Sequence, residues 1–264
     1  MPHHIHHHGH HHHRPGSDNK SLGQRNKEHF DEVASTAFQT PWIAKIAAQV
    51  TEELQKNYAW IEEGRSNTRN DTKLLDYACG NGIVSRALAP YVKTCRGIDI
   101  SSEMVSQYQK VVEEENMQDR LRAVQGDLLD MAATPSPELA SQEYKDFDFA
   151  VMSLALHHVE DVEAMIAGLA ERLGDGGVLV IVDWVAESES GLGLPLSAME
   201  DNPVRHTVHH MGFTERELRA AFEKAGLESW GWKRFGKESD IPSELGGSQQ
   251  GFLARGTKKV EREL

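Results

Sequence analysis

Residues 74–82 read LLDYACGNG, an apolar stretch that runs into two glycines flanking a single asparagine. No other part of the chain restricts the fold as much. A buried strand ending in Gly-x-Gly lets backbone approach a ligand closely, and a helix starting there offers unpaired amides to a negative group. The flanking sequence repeats the unit. "TCRGIDI", "LRAVQGD", "DFDFAVMSLA" and "GVLVIVDW" read as further buried strands. Between them lie helical periods: Val84–Ala89, then Met104, Val105, Tyr108, Val111 and Val112 behind a Ser101 or Ser102 cap. Val162, Ile166, Leu169 and Leu173 mark another helix, ended by Gly174. Near-continuous apolar strands alternating with helices argue for a mostly parallel sheet covered on both faces, an α/β fold.

Most of the fifteen histidines crowd the first thirteen residues. Residues 1–19 therefore read as an affinity tag or a disordered histidine-rich tail, outside the fold. Residues 20–70 are expected to form an N-terminal helical cap. Pro41 suits a first helical position, and Ile43, Ile46, Ala47, Val50 and Leu54 keep a helical period up to the polar linker "EGRSNTRND". The core is expected over 71–256, with a polar tail at 257–264. Within it, residues 185–211 keep no firm period and are long for a plain connection, which favours a lid or acceptor-side insertion. "GFTERELRAAFEKAG" restores order: Thr214 caps, Glu217 completes a capping box, Phe213 staples against Leu218, and Gly226 stops the helix. "LESWGWKRF" and "GFLARG" supply two final strands, with "KESDIPSELGGSQQ" between them as a surface loop.

The formal charge of −13 argues against a nucleic-acid backbone binder, which wants a basic face. Cys79 and Cys95 form neither a CxxC nor a secreted disulfide pattern, so a reducing compartment is the default. With no apolar run of transmembrane length and no signal-peptide pattern, a cytoplasmic protein without stable membrane insertion is expected. A monomer or weak dimer is the matching expectation.

The glycine turn alone is a weak signal, because two glycines could merely make a tight turn. Asp99 strengthens it. It ends the next strand, 17 residues past Gly82, where a carboxylate can accept both ribose hydroxyls. Asp127 ends the third strand beside Gly126, where a side chain can meet an adenine edge. These acids describe one crevice along the carboxyl ends of the strands. A dinucleotide oxidoreductase binding NAD would share the turn and Asp99, but its fingerprint wants glycine where this chain has Ser85. Nothing later in the chain supplies a hydride-transfer apparatus.

"LLDYACGNG", "RGIDISSEMV", "VQGDLLD", "FDFAVMSLALHHVED", "LGDGGVLVIVDW" and "GFTERELRAAFEKAGL" stand in the order and spacing of class I methyltransferases. From Phe30 to Gly256 the chain resembles S-adenosylmethionine-dependent enzymes of the UbiE-like small-molecule branch. It is also similar to fungal thiol methyltransferases acting on epipolythiodioxopiperazines such as dithiol gliotoxin. The resemblance implies a Rossmann-like seven-stranded sheet with a reversed last strand, helices on both faces and a helical cap over the donor. It further implies methyl transfer from S-adenosylmethionine to a small-molecule acceptor, leaving S-adenosylhomocysteine.

Carried over by the resemblance, Asp76, Ala78, Gly80 and Gly82 lie around the methionine end of the donor. Asp99 is the ribose-binding acid, with Ile100 and Met104 near the adenine. Gly126, Asp127 and the Leu128 amide serve the adenine, and Ser153, Leu154 and His158 flank the donor's methionine part. Ala78 departs from the family pattern, which usually has glycine there. The acceptor atom stays open: a thiol natural product is the favoured reading, with O-, N- or C-methylation and a non-catalytic donor-binding regulator as alternatives.

Methyl transfer from a sulfonium mainly requires alignment, because the donor carries its own leaving group. A histidine near the acceptor can deprotonate a thiol or an amine. His157 and His158 follow the fourth strand at the crevice, and His157 is the candidate base. Adjacent side chains cannot converge on one small ion, so no metal is expected. Asp161 can cap the next helix. His209 is a second catalytic candidate, in a segment whose Met199, His206 and Met211 are candidate acceptor lining. Asp183 and Trp184 end the fifth strand at the same rim, where Asp183 can anchor the acceptor region or satisfy loop amides. Phe30, Phe38 and Trp42 are candidates to close over donor or acceptor.

Overall fold

The computed structural model describes residues 20–63, 65, 71–130, 136–186, 205–243 and 247–260. At its centre the chain places β1 (Lys73–Tyr77), β2 (Thr94–Asp99), β3 (Leu121–Gln125), β4 (Phe147–Ser153), β5 (Leu173–Trp184), β6 (Leu227–Arg234) and β9 (Gly251–Lys258) in one seven-stranded sheet. The strand order is β3-β2-β1-β4-β5-β9-β6. The first five strands pair in parallel, whereas β9 runs antiparallel to both β5 and β6. The fold is the Rossmann-like α/β sheet read from the sequence. Its reversed last strand is inserted between β5 and β6 rather than added at the edge.

Helices cover both faces. On one, α2 (Pro41–Lys56), α3 (Tyr58–Glu62), α4 (Ile83–Leu88) and α5 (Ser102–Glu114) bury Leu54, Ile61, Leu88 and Tyr108 against β1, β2 and β5. On the other, α6 (Val162–Arg172) and α7 (Glu215–Lys224) bury Ile166, Leu169, Leu218 and Phe222. Each wholly buried Leu, Ile or Phe is worth about 1.5–3 kcal/mol of transfer free energy, and such residues recur in both clusters that flank the sheet. The caps expected from sequence are present. Ser101 accepts from the Met104 amide, Asp161 from the Ala164 amide, and Thr214 and Glu217 form the reciprocal box. Phe213 and Leu218 share one apolar cluster, and Gly226 adopts φ +77° just past α7.

Three features differ from the sequence reading. Leu173 belongs to β5, not to the preceding helix: its backbone is extended and it pairs with Phe147 across a register shift. The stretch read as a plain loop between the last strands holds a two-residue ladder, β7 (Ser239–Asp240) with β8 (Ser248–Gln249). The last strand runs on to Lys258, so Thr257 and Lys258 are sheet rather than tail.

The N-terminal region contributes one helix that the apolar period had not marked, α1 (Leu22–Val33). Ser21 and Gln24 cap it reciprocally. It docks through Asp31, which accepts from Ser101 Oγ at 2.6 Å, and through Asn26, whose Nδ2 donates to the His158 carbonyl at 3.0 Å. Most of the 185–211 segment, Met199 included, lies outside the described residues. No described helix is long and apolar enough to cross a membrane.

Candidate functional site

The carboxyl ends of β1 to β5 open into a cavity of about 1140 Å³, roofed by α1, the Ala37–Gln39 turn and the start of α2. Small-molecule sites usually measure about 300–1,000 Å³, so two ligands of moderate size fit side by side. Asp76, Ala78, Gly80, Asp99, Ile100, Met104, Asp127, Ser153, Leu154, His157 and His158 all line it. Phe30, Phe38, Trp42 and Trp184 add apolar and aromatic wall.

The glycine turn is held by its own acids. Gly82, with φ +83°, begins α4 but has no side chain to cap it. Asp76 supplies the cap from the end of β1: Oδ2 accepts from the Ser85 amide at 3.0 Å and from Ser85 Oγ at 2.7 Å. Tyr108 Oη donates to the same Ser85 Oγ at 2.9 Å, and a Cβ at Gly82 would stand 2.9 Å from the Tyr108 ring. Glycine is therefore needed at 82 for both its dihedral and its space. Burial pushes the Asp76 carboxyl up to about 7, against the pull of the Ser85 hydrogen bonds.

Asp99 is buried and grips both sides of the crevice, accepting from the Gly80 amide at 2.8 Å through Oδ2 and from the Ser101 amide at 2.9 Å through Oδ1. Burial raises its pKa to about 6 while those two amides lower it. Each carboxylate oxygen keeps a further lone pair, so Asp99 can still accept two hydroxyls. Asp127 accepts from the Tyr77 hydroxyl at 3.3 Å and the Leu129 amide at 2.9 Å. Ala78 and Leu154 adopt φ +56° and +51° in the cavity wall. Left-handed backbone is unfavourable for residues with a Cβ and tends to gather at ligand sites.

The paired histidines pack ring against ring, centroids 4.1 Å apart, but take different partners. His157 Nδ1 lies 2.8 Å from Asp183 Oδ1, and the His157 amide donates to Asp183 Oδ2 at 3.1 Å. Asp183 also accepts from the Trp184 amide at 2.8 Å and is wholly buried. It thus satisfies loop amides and orients a histidine together. A carboxylate facing Nδ1 requires the proton there, which leaves the Nε2 lone pair free to act as a base. His158 Nδ1 instead meets the Thr207 carbonyl at 2.7 Å, and Phe30 stacks edge-on against its ring. Burial holds the His158 pKa well below 6.5, reinforced by neighbouring His157.

Other candidates fall elsewhere. Gly82, Gly126, Leu128 and His209 are not among the lining residues. A Cβ at Gly126 would stand 2.5 Å from Leu139, and the Leu128 amide donates to the Tyr77 hydroxyl. The exposed His209 stacks on His210, which itself reaches the cavity, and the amides of both donate to the His157 carbonyl. His206 and Met211 are not among the lining residues either. Asn26 and His210 are lining residues with no sequence signal pointing to them. No group of three or more His, Cys, Asp or Glu side chains among the described residues could hold a metal ion.

A family model for a methyltransferase domain matches residues 43–230. An uncharacterized methyltransferase of Schizosaccharomyces pombe is 29% identical over 175 residues, covering 66% of this chain and 57% of its own length. A ubiquinone biosynthesis O-methyltransferase of Psychrobacter arcticus is 32% identical over 109 residues, 41% of this chain and 39% of that protein. The chain thus spans about half the length of the curated relatives it matches. Among solved structures, magnesium protoporphyrin IX methyltransferase from Synechocystis, with bound SAH, superposes with a TM-score of 0.62 at 16% identity. That match covers 90% of this chain and 100% of the other.

Proposed function

The chain belongs to the methyltransferase-domain family, and on that premise we propose that it transfers the methyl group of S-adenosylmethionine to a small protic metabolite, with a thiol as the acceptor group. When bound, S-adenosylmethionine supplies an electrophilic methyl on a sulfonium that is its own leaving group. The residues present suit it. Asp99 has lone pairs left for two ribose hydroxyls, Asp127 offers a carboxylate to the adenine amine, and the Gly80 turn leaves backbone near the methionine end. Ser153, Leu154 and His158 flank that end.

The observation that carries the reading is His157 in the wall of a cavity large enough for two ligands, backed by the buried Asp183. His157 Nε2 takes the acceptor's proton, and Asp183 faces the imidazolium that forms. The acceptor sulfur then gains the methyl while the bond to the sulfonium breaks. A thiol suits so mild a base because its pKa, about 8.5, is the nearest of the common acceptors to that of imidazole, and the thiolate is the reactive form. Gliotoxin-type dithiols, acceptors of the fungal enzymes this chain resembles, are the first compounds to assay. A phenol belongs in the same panel, because one relative is named for ubiquinone O-methylation.

The test is S-adenosylhomocysteine formation, measured by mass spectrometry, with dithiols, simple thiols, phenols and amines, each beside its pre-methylated form. The expected result is a methyl thioether and no reaction of the blocked thiols. Equal rates with blocked and free thiols would sink the thiol assignment, and failure to bind S-adenosylmethionine would sink the whole reading.

A further inference from the structure

The polar groups of the cavity wall point to a class of acceptor. Asn26, on α1, is 6% exposed and lines the cavity. Its Nδ2 donates to the His158 carbonyl at 3.0 Å, while Oδ1 is buried with no hydrogen-bond partner. The amide cannot be turned round, because that would set oxygen against the His158 carbonyl. A second lining residue, His210, buries an Nε2 with no partner. The third acceptor is His157, whose Nδ1 is committed to Asp183. A buried acceptor without a donor is costly, so Asn26 Oδ1 and His210 Nε2, with His157 in the same wall, ask for a ligand that donates hydrogen bonds.

Charge points the same way. Glu160 and Asp161 line the cavity alongside one lysine, Lys27, whose ammonium lies 2.6 Å from Asp31, while the lining Glu163 is paired with Lys224. Burial lowers the pKa of His158 and His210, so neither supplies a cation near neutral pH. An anionic ligand would give up its hydration here and meet lone pairs and carboxylates instead.

We propose that the acceptor side of this cavity selects neutral or cationic molecules that donate hydrogen bonds, with Asn26 Oδ1 as a specificity-determining contact, and rejects anionic ones. The acceptor enters protonated and becomes anionic only at His157. This deepens the methyltransferase reading and rests on it.

Three phenols of one shape and different charge make the test: tyramine (cation), tyrosol (neutral) and 4-hydroxyphenylacetate (anion). Each is titrated calorimetrically into the full-length protein loaded with S-adenosylhomocysteine. Tyrosol and tyramine are expected to bind at least roughly tenfold more tightly than the acid at low salt, and the gap should narrow as salt screens the carboxylates. Asn26→Leu should weaken tyrosol by roughly five- to tenfold, the loss expected for one hydrogen bond, and S-adenosylhomocysteine by less. The proposal is overturned if the acid binds as well as tyrosol, or if no probe binds to protein that binds S-adenosylhomocysteine. It is also overturned if Asn26→Leu costs S-adenosylhomocysteine more than tyrosol. Failure of S-adenosylhomocysteine and S-adenosylmethionine themselves to bind refutes the methyltransferase reading instead, and the three phenols titrated alone still report the charge preference of the cavity.

Discussion

Replacing Asp183 with asparagine separates proton transfer from the rest of the site. Oδ1 of Asp183 serves His157 Nδ1 and the Trp184 amide, and Oδ2 serves the His157 amide. Asparagine has one acceptor oxygen for these three donors. With its oxygen towards Nδ1, the new NH₂ opposes the His157 amide. With its oxygen towards that amide, the NH₂ opposes Trp184 and draws the imidazole into the tautomer that carries its proton on Nε2, where no base is left. Either way one buried amide goes unpaired, at about 1–3 kcal/mol of stability. The loss of rate has a ceiling set by the acceptor. A thiol of pKa about 8.5 is roughly 3% ionised at pH 7, so a base that only supplies thiolate is worth at most about 30-fold there. Near pH 9, where such a thiol, having entered protonated, is about three-quarters ionised in the site without a base, the Asp183→Asn deficit should fall below about twofold. With a phenol of pKa about 10 it should persist at that pH. The assay is kcat/KM for S-adenosylhomocysteine formation by both proteins from about pH 6.5 to 9.5, with thermal melts as the folding control. A deficit that does not change with pH would refute proton transfer and leave Asp183 a purely positioning residue. No deficit at any pH would remove the pair from the reaction.

Three further outcomes follow from the glycine turn and its acids. Asp99→Asn leaves one oxygen to serve both the Gly80 and Ser101 amides and should weaken S-adenosylhomocysteine binding by about tenfold or more; unchanged affinity in a titration would contradict the ribose role. Asp76 has its pKa raised from 3.8 to about 7 by burial, so the unfolded chain releases this proton first and the group lowers stability as pH rises from about 4 to 7. Asp76→Asn should therefore gain on the wild type across that window, by up to about 4 kcal/mol in urea unfolding, and a constant difference between pH 5 and 8 would refute the assignment. Gly82→Ala combines φ +83° with a Cβ 2.9 Å from the Tyr108 ring, whereas Gly226→Ala has φ +77° and open space. The second should cost about 1 kcal/mol and the first distinctly more, and equal losses in urea unfolding would show that Tyr108 does not fill that space.

The parts of this molecule that repeat a physical rule could be read from the sequence. β4 and most of β5 are buried on both faces and so read as near-continuous apolar runs, and α7 announces itself because Thr214 and Glu217 must satisfy its first amides. Asp99 and Asp127 could be placed in one crevice because parallel strands end on the same side. Where no period fixes a side chain's direction, the reading took the wrong neighbour: His210, not the candidate His209, reaches the cavity. Helix α1 escaped notice because it buries only Leu22 and Asn26, too few for an apolar stripe, although its Ser21–Gln24 box was there to be read. Leu173 keeps the helical spacing, but it lies where Phe147 offers a strand partner, and pairing across the sheet overrides the local period. Asn26 had no signature at all. A polar residue on a weak helix looks solvated until the sheet brings the His158 carbonyl, 132 residues away, within 3.0 Å of it.

The two histidines of "LHH" show how one short turn divides labour. The rings of His157 and His158 lie against each other on the turn Leu156–His158, centroids 4.1 Å apart, so what distinguishes them is the partner the rest of the fold sets against each Nδ1. A carboxylate meets His157 and a carbonyl meets His158. Both partners fix the same tautomer, but they differ once a proton arrives. On His157 the new charge faces Asp183, whereas on His158 it would be buried against a dipole, which is why burial holds that ring neutral. On the proposed function the pair contains one base and one neutral wall residue, and the wall residue does a second job through its backbone. Its carbonyl fixes the Asn26 amide, and through it the direction of the acceptor that Asn26 offers to the ligand. Changing the His158 side chain should then disturb proton transfer less than changing His157 does. His158→Phe, which keeps the ring and the backbone carbonyl, should retain the pH profile of kcat that His157→Ala loses. If both variants shift that profile alike, the two histidines act as one group and the division fails.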